Sequence, residues 1–434
     1  MAKEMYYTGI DIGSSKVCSI VARVGTDGEL KILGTGVVRS QGMLKGKIEN
    51  LNEVQAAVKA SLEESQKYIG KGVISGVYAG VSGVHISSSN ARQVLRNPGE
   101  DGDVSNHRLK QLIQSSFSAA GSGAGKGREV IHIIPISYGI DGPLDGRIDH
   151  PSDSLAGVRA LTGLQSGQVE VEAHIISGDA AALKNNVKVV QAGKVPVNSL
   201  VLQALASAEA TLTGDERELG CVLMDIGGGT TDMVVYREGN PWYSAVIPVG
   251  GNQLTKDLSV ATKIPWYLAE DLKVKWGAAL PEMVRVDEEV VLPGYQGQPQ
   301  RVIQRRDLTE PLQARLIEMF KLVLLKVRQS GLRQFPNAGL VITGGCADLP
   351  GVKELAENTL GGPVRIGYPT GIAGLPSQLR KPIFSTAVGL LLWGIKHQGE
   401  QRPYRNSERT LWGAKPFWGR NSTADAEHEE VAAR

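Results

Sequence analysis

Short apolar runs that end in turn-forming residues recur along the chain, and they predict a fold in which strands and helices are mixed. Three such runs open the chain as a meander of strands, over residues 6–12, 17–24 and 30–38. A helix should follow over residues 52–68, where apolar residues recur at helical spacing behind the candidate N-cap Asn52. The next apolar run predicts a strand over residues 73–81.

The pattern changes between residues 84 and 176, where polar and turn-forming residues interrupt the apolar runs. A polar stretch over residues 87–106 precedes a predicted helix over residues 106–120. Strands are expected over residues 130–140 and 169–177. We interpret this part of the chain as an inserted subdomain.

Most of the helical periodicity lies in the second half of the chain. Helices are predicted over residues 196–212, 253–260, 265–276, 308–332, 351–359 and 385–396, and strands over residues 338–342 and 364–366. Residues 287–306 form a polar stretch between two of these helices. Beyond residue 396 a basic segment with scattered aromatic residues leads into an acidic tail from Ser422, for which we expect disorder.

Composition excludes several classes of protein. The length of 434 residues indicates more than one domain, and a net charge of +2 gives no field that would favour nucleic acid. The three cysteines, Cys18, Cys221 and Cys346, lie far apart without metal or disulfide spacing, as expected in a reducing cytoplasm. The strongest apolar run near the C-terminus, residues 387–395, is far shorter than the ~20 residues that span a bilayer, so we expect no integral membrane segment.

Two copies of one phosphate-cradle motif organise the chain. The first runs from Asp11 through Gly13, Ser14 and Ser15 to Lys16, and the second runs from Asp225 through Gly227, Gly228, Gly229 and Thr230 to Asp232. In each, an apolar strand ends in Asp-x-Gly, where glycine lets backbone N–H groups approach a phosphate. The aspartates Asp11 and Asp225 could hold a hydrated Mg²⁺ on that phosphate. Two such motifs in separate halves suggest a duplicated fold that clamps one nucleotide between its halves.

Three further features of the sequence are weaker candidates for parts of the nucleotide site. A third glycine turn, Thr343-Gly344-Gly345, follows an apolar strand, and the two cradles upstream favour a role under adenine or ribose over a plain strand–helix turn. The glycine-rich residues 121–127 fail the Walker A pattern, because Gly127 replaces the required Ser or Thr. Gln203, just before the second cradle, could orient an attacking water, although a solvated helix face is the alternative.

In this order the motifs resemble those of the actin-like ATPases, and within that superfamily the chain resembles the bacterial cell-division FtsA family over roughly residues 5–397. The closer resemblance is carried by residues 81–86, 136–142, 157–159, 172–175, 202–232, 247–251 and 385–391. The resemblance implies an α/β, ribonuclease-H-like duplicated, two-lobed ATPase fold with a family-specific inserted subdomain.

The resemblance also implies a division into subdomains. The first lobe would hold subdomain 1A (residues 1–83, rejoined by 177–198 and 386–397) and the inserted subdomain 1C (residues 84–176). The second lobe would hold subdomain 2A (residues 199–246 and 338–385) and the helical subdomain 2B (residues 247–337). Residues 398–434 would form a linker, a membrane-contact segment and a disordered acidic tail.

Site residues follow by analogy with the family. The expected cofactors are ATP and Mg²⁺, with Asp11 and Asp225 on the metal, directly or through water, and Gln203 on the attacking water. The residues implied to contact phosphate are Gly13, Ser14, Ser15, Lys16, Gly227, Gly228, Gly229 and Thr230. Those implied around the adenosine are Glu270, Lys273, Gly344 and Gly345. The family is often a poor hydrolase, so a weak ATPase coupled to filament assembly is expected.

The implied partners are a second copy of the chain, the C-terminal peptide of the tubulin-like FtsZ, and later division proteins on the inserted subdomain. The peptide would bind a basic stretch of the helical subdomain that consists of Arg301, Arg305, Arg306 and Arg315. The alternative is that these arginines form a solvated basic face without a partner. The family has an amphipathic helix near its C-terminus that lies on the membrane. At the corresponding position this chain has four apolar residues that would contact an anionic membrane surface: Leu411, Trp412, Phe417 and Trp418. Gly413 and Pro416 interrupt any continuous helix there, which departs from the family. Cys346 also departs, because the family more often has Gly or Ala there.

The resemblance therefore predicts a polymerising protein that tethers the FtsZ ring to the inner face of the membrane at the division site. One alternative is an actin-like adaptor of pilus or secretion machinery, which would share the nucleotide motifs. A further alternative is a sugar or acetate-type kinase on the same core, for which the sequence offers no convincing catalytic base.

Overall fold

The computed structural model describes residues 4–26, 28–67, 69–70, 73–96, 104–122, 127–140, 166–295, 297 and 299–397. The membrane-contact residues expected from the sequence, Leu411, Trp412, Phe417 and Trp418, lie outside the described residues, as does the acidic tail.

Strands and helices alternate through the described chain. The strands are β1 (Met5–Ile12), β2 (Lys16–Val24), β3 (Leu30–Arg39), β4 (Met43–Leu44), β5 (Lys47–Ile48), β6 (Val77–Val81), β7 (Ser87–Arg96), β8 (Arg128–Ile140), β9 (Gln168–Asp179), β10 (Val197–Leu202), β11 (Val222–Ile226), β12 (Thr231–Arg237), β13 (Asn240–Ile247), β14 (Glu289–Leu292), β15 (Arg301–Gln304), β16 (Leu340–Thr343) and β17 (Val364–Ile366). The α-helices are α1 (Leu51–Gln66), α2 (Asn106–Ser122), α3 (Ala180–Gln191), α4 (Gln203–Thr211), α5 (Gly214–Leu219), α6 (Gly251–Thr262), α7 (Trp266–Trp276), α8 (Arg305–Gln329), α9 (Val352–Leu360) and α10 (Ser385–Lys396).

Two five-stranded sheets share one topology. The first has the order β10-β6-β1-β2-β3, with β1, β2 and β3 antiparallel and with β6 and β10 parallel to β1. The second has the order β13-β12-β11-β16-β17, in which an antiparallel meander is again followed by two parallel strands. Each of the two phosphate-type motifs therefore occupies the first hairpin turn of its own sheet, as a duplicated fold requires.

Helices α4 and α10 cross in direct backbone contact within the main hydrophobic core. A Cβ atom added at Gly389 of α10 would lie 1.7 Å from the carbonyl oxygen of Ala206 on α4. The cluster that surrounds this crossing includes residues of both sheets, such as Ile10 of β1 and Leu223 of β11. The two helices therefore connect the lobes beneath the cleft.

The residues between β6 and β10 include a separate three-stranded sheet with the order β7-β9-β8, on which α2 packs. Its hydrophobic cluster is distinct from the main core and includes Leu95, Leu109, Phe117 and Val171. We call β7, α2, β8 and β9 the insert. A further small cluster joins α6, α7, the start of α8 and the β14–β15 hairpin.

The structure corrects several elements expected from the sequence. The predicted helix over residues 196–212 is wrong in its first half, because residues 197–202 form β10 and α4 begins only at Gln203. No glycine or proline separates this strand from the helix, so the continuous apolar run concealed the boundary. The N-cap of α1 is Asn50, whose side chain accepts the backbone N–H groups of Asn52 and Glu53 at 3.2 and 3.4 Å; Asn52 lies inside the helix.

Polar stretches concealed further elements. Strand β7 lies within the stretch 87–106, the β14–β15 hairpin lies within 287–306, and α3 was not predicted. The long helix α8 runs from Arg305 to Gln329 rather than from residue 308 to 332. Strand β14 alternates exposed and buried residues over four positions only, and β15 has no buried residue, so the sequence pattern is hard to distinguish from that of a loop.

Candidate functional site

A cleft of about 690 Å³, open to solvent, lies between the two first turns. It is lined by both phosphate-type motifs, by Gln203, and by the third glycine turn at Gly344 and Gly345. The structure therefore brings together three glycine turns that are far apart in the sequence.

The two cradles have the same local geometry. The N–H of Gly13 donates to the carbonyl of Lys16 at 3.0 Å, and the N–H of Gly227 donates to the carbonyl of Thr230 at 2.9 Å. The opposing turns are so close that a Cβ atom at Gly229 would lie 2.4 Å from the hydroxyl oxygen of Ser14. A side chain at position 229 would have to displace the Ser14 hydroxyl, whereas glycine leaves the backbone N–H accessible to an anion.

Asp11 is the centre of a polar cluster on the first lobe. Its carboxylate accepts from the Lys16 ammonium at 2.8 Å and from the Gln203 side-chain amide at 3.0 Å. Burial lowers the pKa of Lys16, but the charge and the hydrogen bond of Asp11 outweigh this effect, so the pKa lies above its ordinary value. Lys16 is therefore a permanent positive charge beside the first cradle.

Asp225 is buried at the end of β11 on the second lobe. One carboxylate oxygen accepts from the hydroxyls of Ser207 on α4 and Thr386 on α10, at 2.5 and 2.9 Å. Burial raises the pKa of Asp225 above its ordinary value, against the lowering effect of these two hydroxyls. A cation nearby would favour the ionised form. Neither hydroxyl was singled out in the sequence, because each comes from a different helix.

Asp232 closes the second motif and was assigned no role from the sequence. One of its carboxyl oxygens accepts from Thr230 at 3.0 Å, while the other is buried and has no hydrogen-bond partner among the described residues. Thr230 also lies 3.3 Å from the hydroxyl of Ser82 on the opposite lobe. Burial raises the pKa of Asp232 to about 7. The repeated Asp at both ends of the motif was the available signal for this residue.

Of the residues expected around the adenosine, Gly344 and Gly345 line the cleft, whereas Glu270 and Lys273 are not among its lining residues and lie against the start of α6. Lys273 donates to the carbonyl of Gly251 at 3.1 Å, to the hydroxyl of Thr255 at 2.8 Å and to the carboxylate of Glu270 at 2.7 Å. Gly344 has a φ of +86°, and a Cβ atom there would lie 2.3 Å from an oxygen of Asp225, so glycine is required. The sulfur of Cys346 would lie 2.8 Å from a Cβ atom at Gly251 and thus packs against the start of α6.

The four arginines expected to bind a partner all contact acceptors within the second lobe. Arg301 donates to the carbonyl of Thr262, and Arg306 donates to that of Val284 at 3.3 Å. The other two form ion pairs: Arg305 with Glu288 at 2.8 Å, and Arg315 with Asp257 at 2.6 Å. The structure thus spreads these side chains over several internal contacts, and their role toward a partner stays a prediction.

Among the described residues, no three His, Cys, Asp or Glu side chains come together as a metal-binding group. Nucleotide-bound Mg²⁺ does not need one, because phosphates and water supply most of its ligands and one or two carboxylates suffice. Asp11 and Asp225 are such carboxylates, and both line the cleft. Within the described part of the chain, no helix combines the length and the apolar character needed to cross a bilayer.

Two sheets of the same topology, with facing glycine turns between them, define an actin-like ATPase fold. The PilM-PilN type IV pilus biogenesis complex matches with a TM-score of 0.62 at 15% sequence identity, over 90% of this chain and 98% of that chain. MreB 5 of Spiroplasma citri bound to AMPPNP matches with a TM-score of 0.52 at 12% identity, over 91% of this chain and 97% of that chain. At such low identity these likenesses show the fold alone.

Sequence comparison identifies the family. The family model described as Cell division protein FtsA matches residues 222–389. Proteins of that name are 33% identical in Pseudomonas aeruginosa, over 90% of each chain, and 35% identical in Escherichia coli (strain K12), over 89% of each chain. The chain belongs to the FtsA family and is an actin-like cell-division protein.

Proposed function

We propose that this chain binds ATP with Mg²⁺ in the cleft, assembles into filaments, and tethers the FtsZ ring to the inner face of the cell membrane at the division site. The observation that carries the proposal is the pair of facing cradles, with Asp11 and Lys16 in the first, Asp225 in the second, and the Gln203 amide bonded to Asp11. Family membership supports the cell-division role.

In this proposal the two cradles supply backbone N–H groups and small hydroxyls to the phosphates, and Lys16 adds a positive charge. When bound, Mg²⁺ would neutralise phosphate charge, with Asp11 and Asp225 holding it directly or through water. Gln203 would orient a water against the terminal phosphate, with its amide already fixed by Asp11. Gly344, Gly345, Glu270 and Lys273 would surround the adenosine. Turnover would be slow and coupled to filament assembly.

Each subdomain proposed from the sequence would carry one part of this function. Residues 1–83, 177–198 and 386–397 would form one half of the nucleotide site, and residues 199–246 and 338–385 the other, except that β10 pairs within the first sheet as far as Leu202. Residues 247–337 would receive the adenosine and the FtsZ peptide, and residues 84–176 would receive later division proteins. Residues 398–434 would contact anionic lipid.

Co-flotation of purified FtsZ with phosphatidylglycerol-containing vesicles tests the proposal. The full chain with Mg-ATP should carry FtsZ to the top of the gradient, and a chain ending at His397 should not. Gly229→Ala should weaken ATP binding and flotation by about tenfold, because its methyl group would clash with Ser14. Arg306→Glu should abolish the recovery of FtsZ but leave ATP binding and flotation of the chain unchanged, because it reverses a charge on the proposed peptide surface.

Lys59→Glu is the matched control, because it reverses a charge on α1 at a residue whose described ion pair, with Glu63, is exposed to solvent. It should leave both steps unchanged. Absence of ATP binding by the wild-type chain would overturn the nucleotide proposal. ATP binding without flotation would refute the tether alone, and FtsZ recovery that is unaffected by Arg306→Glu would refute the assigned peptide surface.

A further inference from the structure

Strand β10 is an edge strand of the first sheet, and its last residue directs a backbone N–H away from the sheet. Among the strands that the structure describes, β10 pairs with β6 alone, in the register Leu202 to Val81. The N–H of Leu202 instead donates to the ring nitrogen Nε2 of His132, at 3.0 Å. His132 lies on β8 of the insert, so this bond joins the insert to the first lobe.

The His132 ring is held in a fixed orientation. It is 6% exposed, and its edge meets the Trp393 ring of α10 at a centroid distance of 5.2 Å and an angle of 63°. Trp393 in turn stacks on His397 at 4.1 Å. Burial, with smaller contributions from His397 and His174, lowers the pKa of His132 to about 3. The ring is therefore neutral, as the acceptor role of Nε2 requires.

The position of this bond connects it to the nucleotide site. Leu202 is the N-cap residue of α4 and has no side-chain capping bond, so His132 holds the junction between β10 and α4. The next residue, Gln203, begins α4 and reaches Asp11 with its amide at 3.0 Å. A shift of the Leu202 peptide would therefore move Gln203 relative to the cleft.

We propose that His132 is a positioning residue for Gln203: its Nε2 atom fixes the Leu202 peptide and thereby the placement of the Gln203 amide against the terminal phosphate. This inference rests on the proposed function of Gln203. The insert thus contributes directly to the geometry of hydrolysis, through a residue that does not line the cleft.

The alternative is a histidine that only fills the core, and two substitutions separate the two roles. His132→Gln removes the ring but keeps an acceptor at the reach of Nε2. His132→Phe keeps a ring against Trp393 but leaves the Leu202 N–H without a partner. His132→Asn is a second loss variant, because its shorter amide cannot reach the Leu202 N–H. A core-filling role would be preserved better by Phe, and a positioning role by Gln.

The experiment is single-turnover hydrolysis of prebound radiolabelled ATP by the full chain, with ATP affinity and thermal unfolding measured on the same samples. We expect His132→Phe and His132→Asn to slow hydrolysis by about tenfold or more, since small displacements of positioning groups have effects of that order. ATP affinity should change by less than about twofold, because the cradles are untouched. His132→Gln should retain hydrolysis within about threefold of the wild type.

Measuring hydrolysis by the His132 variants in a Gln203→Ala background tests whether His132 acts through Gln203. If His132 acts through Gln203, His132→Phe should add no further slowing to Gln203→Ala. Equal slowing in both backgrounds, or faster hydrolysis by the Phe variant than by the Gln variant, would overturn the inference while leaving the proposed function intact. Wild-type hydrolysis that does not depend on Gln203, or no hydrolysis of bound ATP, would overturn both.

Discussion

Asp232 is a buried residue of the cleft whose carboxyl group is incompletely hydrogen-bonded. It is 3% exposed, and within the described part of the chain one of its two carboxyl oxygens has a hydrogen-bond partner and the other has none. An ionised carboxylate in that position is unfavourable because water no longer solvates it. The protonated form is therefore favoured in the folded chain up to a pH of about 7.

The folded pKa of Asp232, about 7, exceeds its ordinary value of 3.8, so the folded chain binds more protons than the unfolded chain between these values. Stability must then fall as the pH rises through this window. We expect the nucleotide-free wild type to lose about 3 kcal/mol of unfolding free energy between pH 5 and 8 relative to Asp232→Asn. Urea unfolding of both proteins measures this difference, and parallel pH profiles would contradict it.

From the sequence we could predict those candidate site residues whose placement depends on local backbone geometry. Glycines and aspartates of a strand–turn–strand motif are adjacent in the chain, so the cradles and the Gly344 turn could be recognised from the pattern. The contacts of Asp225 with Ser207 and Thr386 could not, because they depend on how two helices cross. The same limit applies to the internal contacts of the four arginines, whose partners lie on other elements.

At the scale of elements, the crossing of α4 and α10 requires a residue without a side chain. A glycine inside a helix costs about 1 kcal/mol relative to alanine, so its presence at position 389 needs a packing reason. The closeness of Gly389 to the Ala206 carbonyl supplies that reason. Here helix–helix contact outweighs helix propensity.

Gly389→Ala should therefore destabilise the chain, although alanine favours helices in general. Its methyl group would meet the Ala206 carbonyl oxygen at 1.7 Å, so the helices must separate. We expect a loss of about 3 kcal/mol or more of unfolding free energy. Gly362→Ala is the matched control, because a Cβ atom there meets nothing within 4 Å, and its effect should stay within about 0.5 kcal/mol. Equal stability of the two variants in urea unfolding would refute the packing argument.

Periodicity predicted the elements that are uniform in character and bounded by turns. Strands β1, β2 and β3 and helix α10 were predicted to within one residue at each end. Strand β10 was missed because its apolar run continues without interruption into α4. The β14–β15 hairpin was missed because its four-residue strands are too short to show alternation.

At the scale of the whole molecule, the insert contacts both lobes. On the second lobe, Ser88 of β7 donates to the carbonyl of Ser244 on β13 at 2.7 Å and accepts its N–H at 3.1 Å. Asn90 donates to the carbonyl of Trp242, and buried His174 bridges Asn90 and Ser244. On the first lobe, His132 accepts from β10 as described above. The insert therefore resists relative movement of the two sheets.

Ser88→Ala should weaken this connection, because one hydroxyl satisfies both outward backbone groups of Ser244. Leaving them unpaired should cost about 1–3 kcal/mol in the free energy of unfolding. Ser89→Ala, on the same strand but at an exposed position, should have an effect within about 0.5 kcal/mol. Thermal and urea unfolding of the two variants measure the difference, and a neutral Ser88→Ala would show that the insert is not anchored there.

The way the insert lies against β10 and β13 has a practical consequence for experiments that remove it. Each of these strands lies at the edge of its sheet, and an uncovered edge strand can pair with a strand of another chain. A deletion of residues 84–176 would uncover both, so aggregation of the shortened protein would be confused with loss of a binding partner. Substitutions at solvent-facing positions of β7 avoid this ambiguity, because they leave both strands protected.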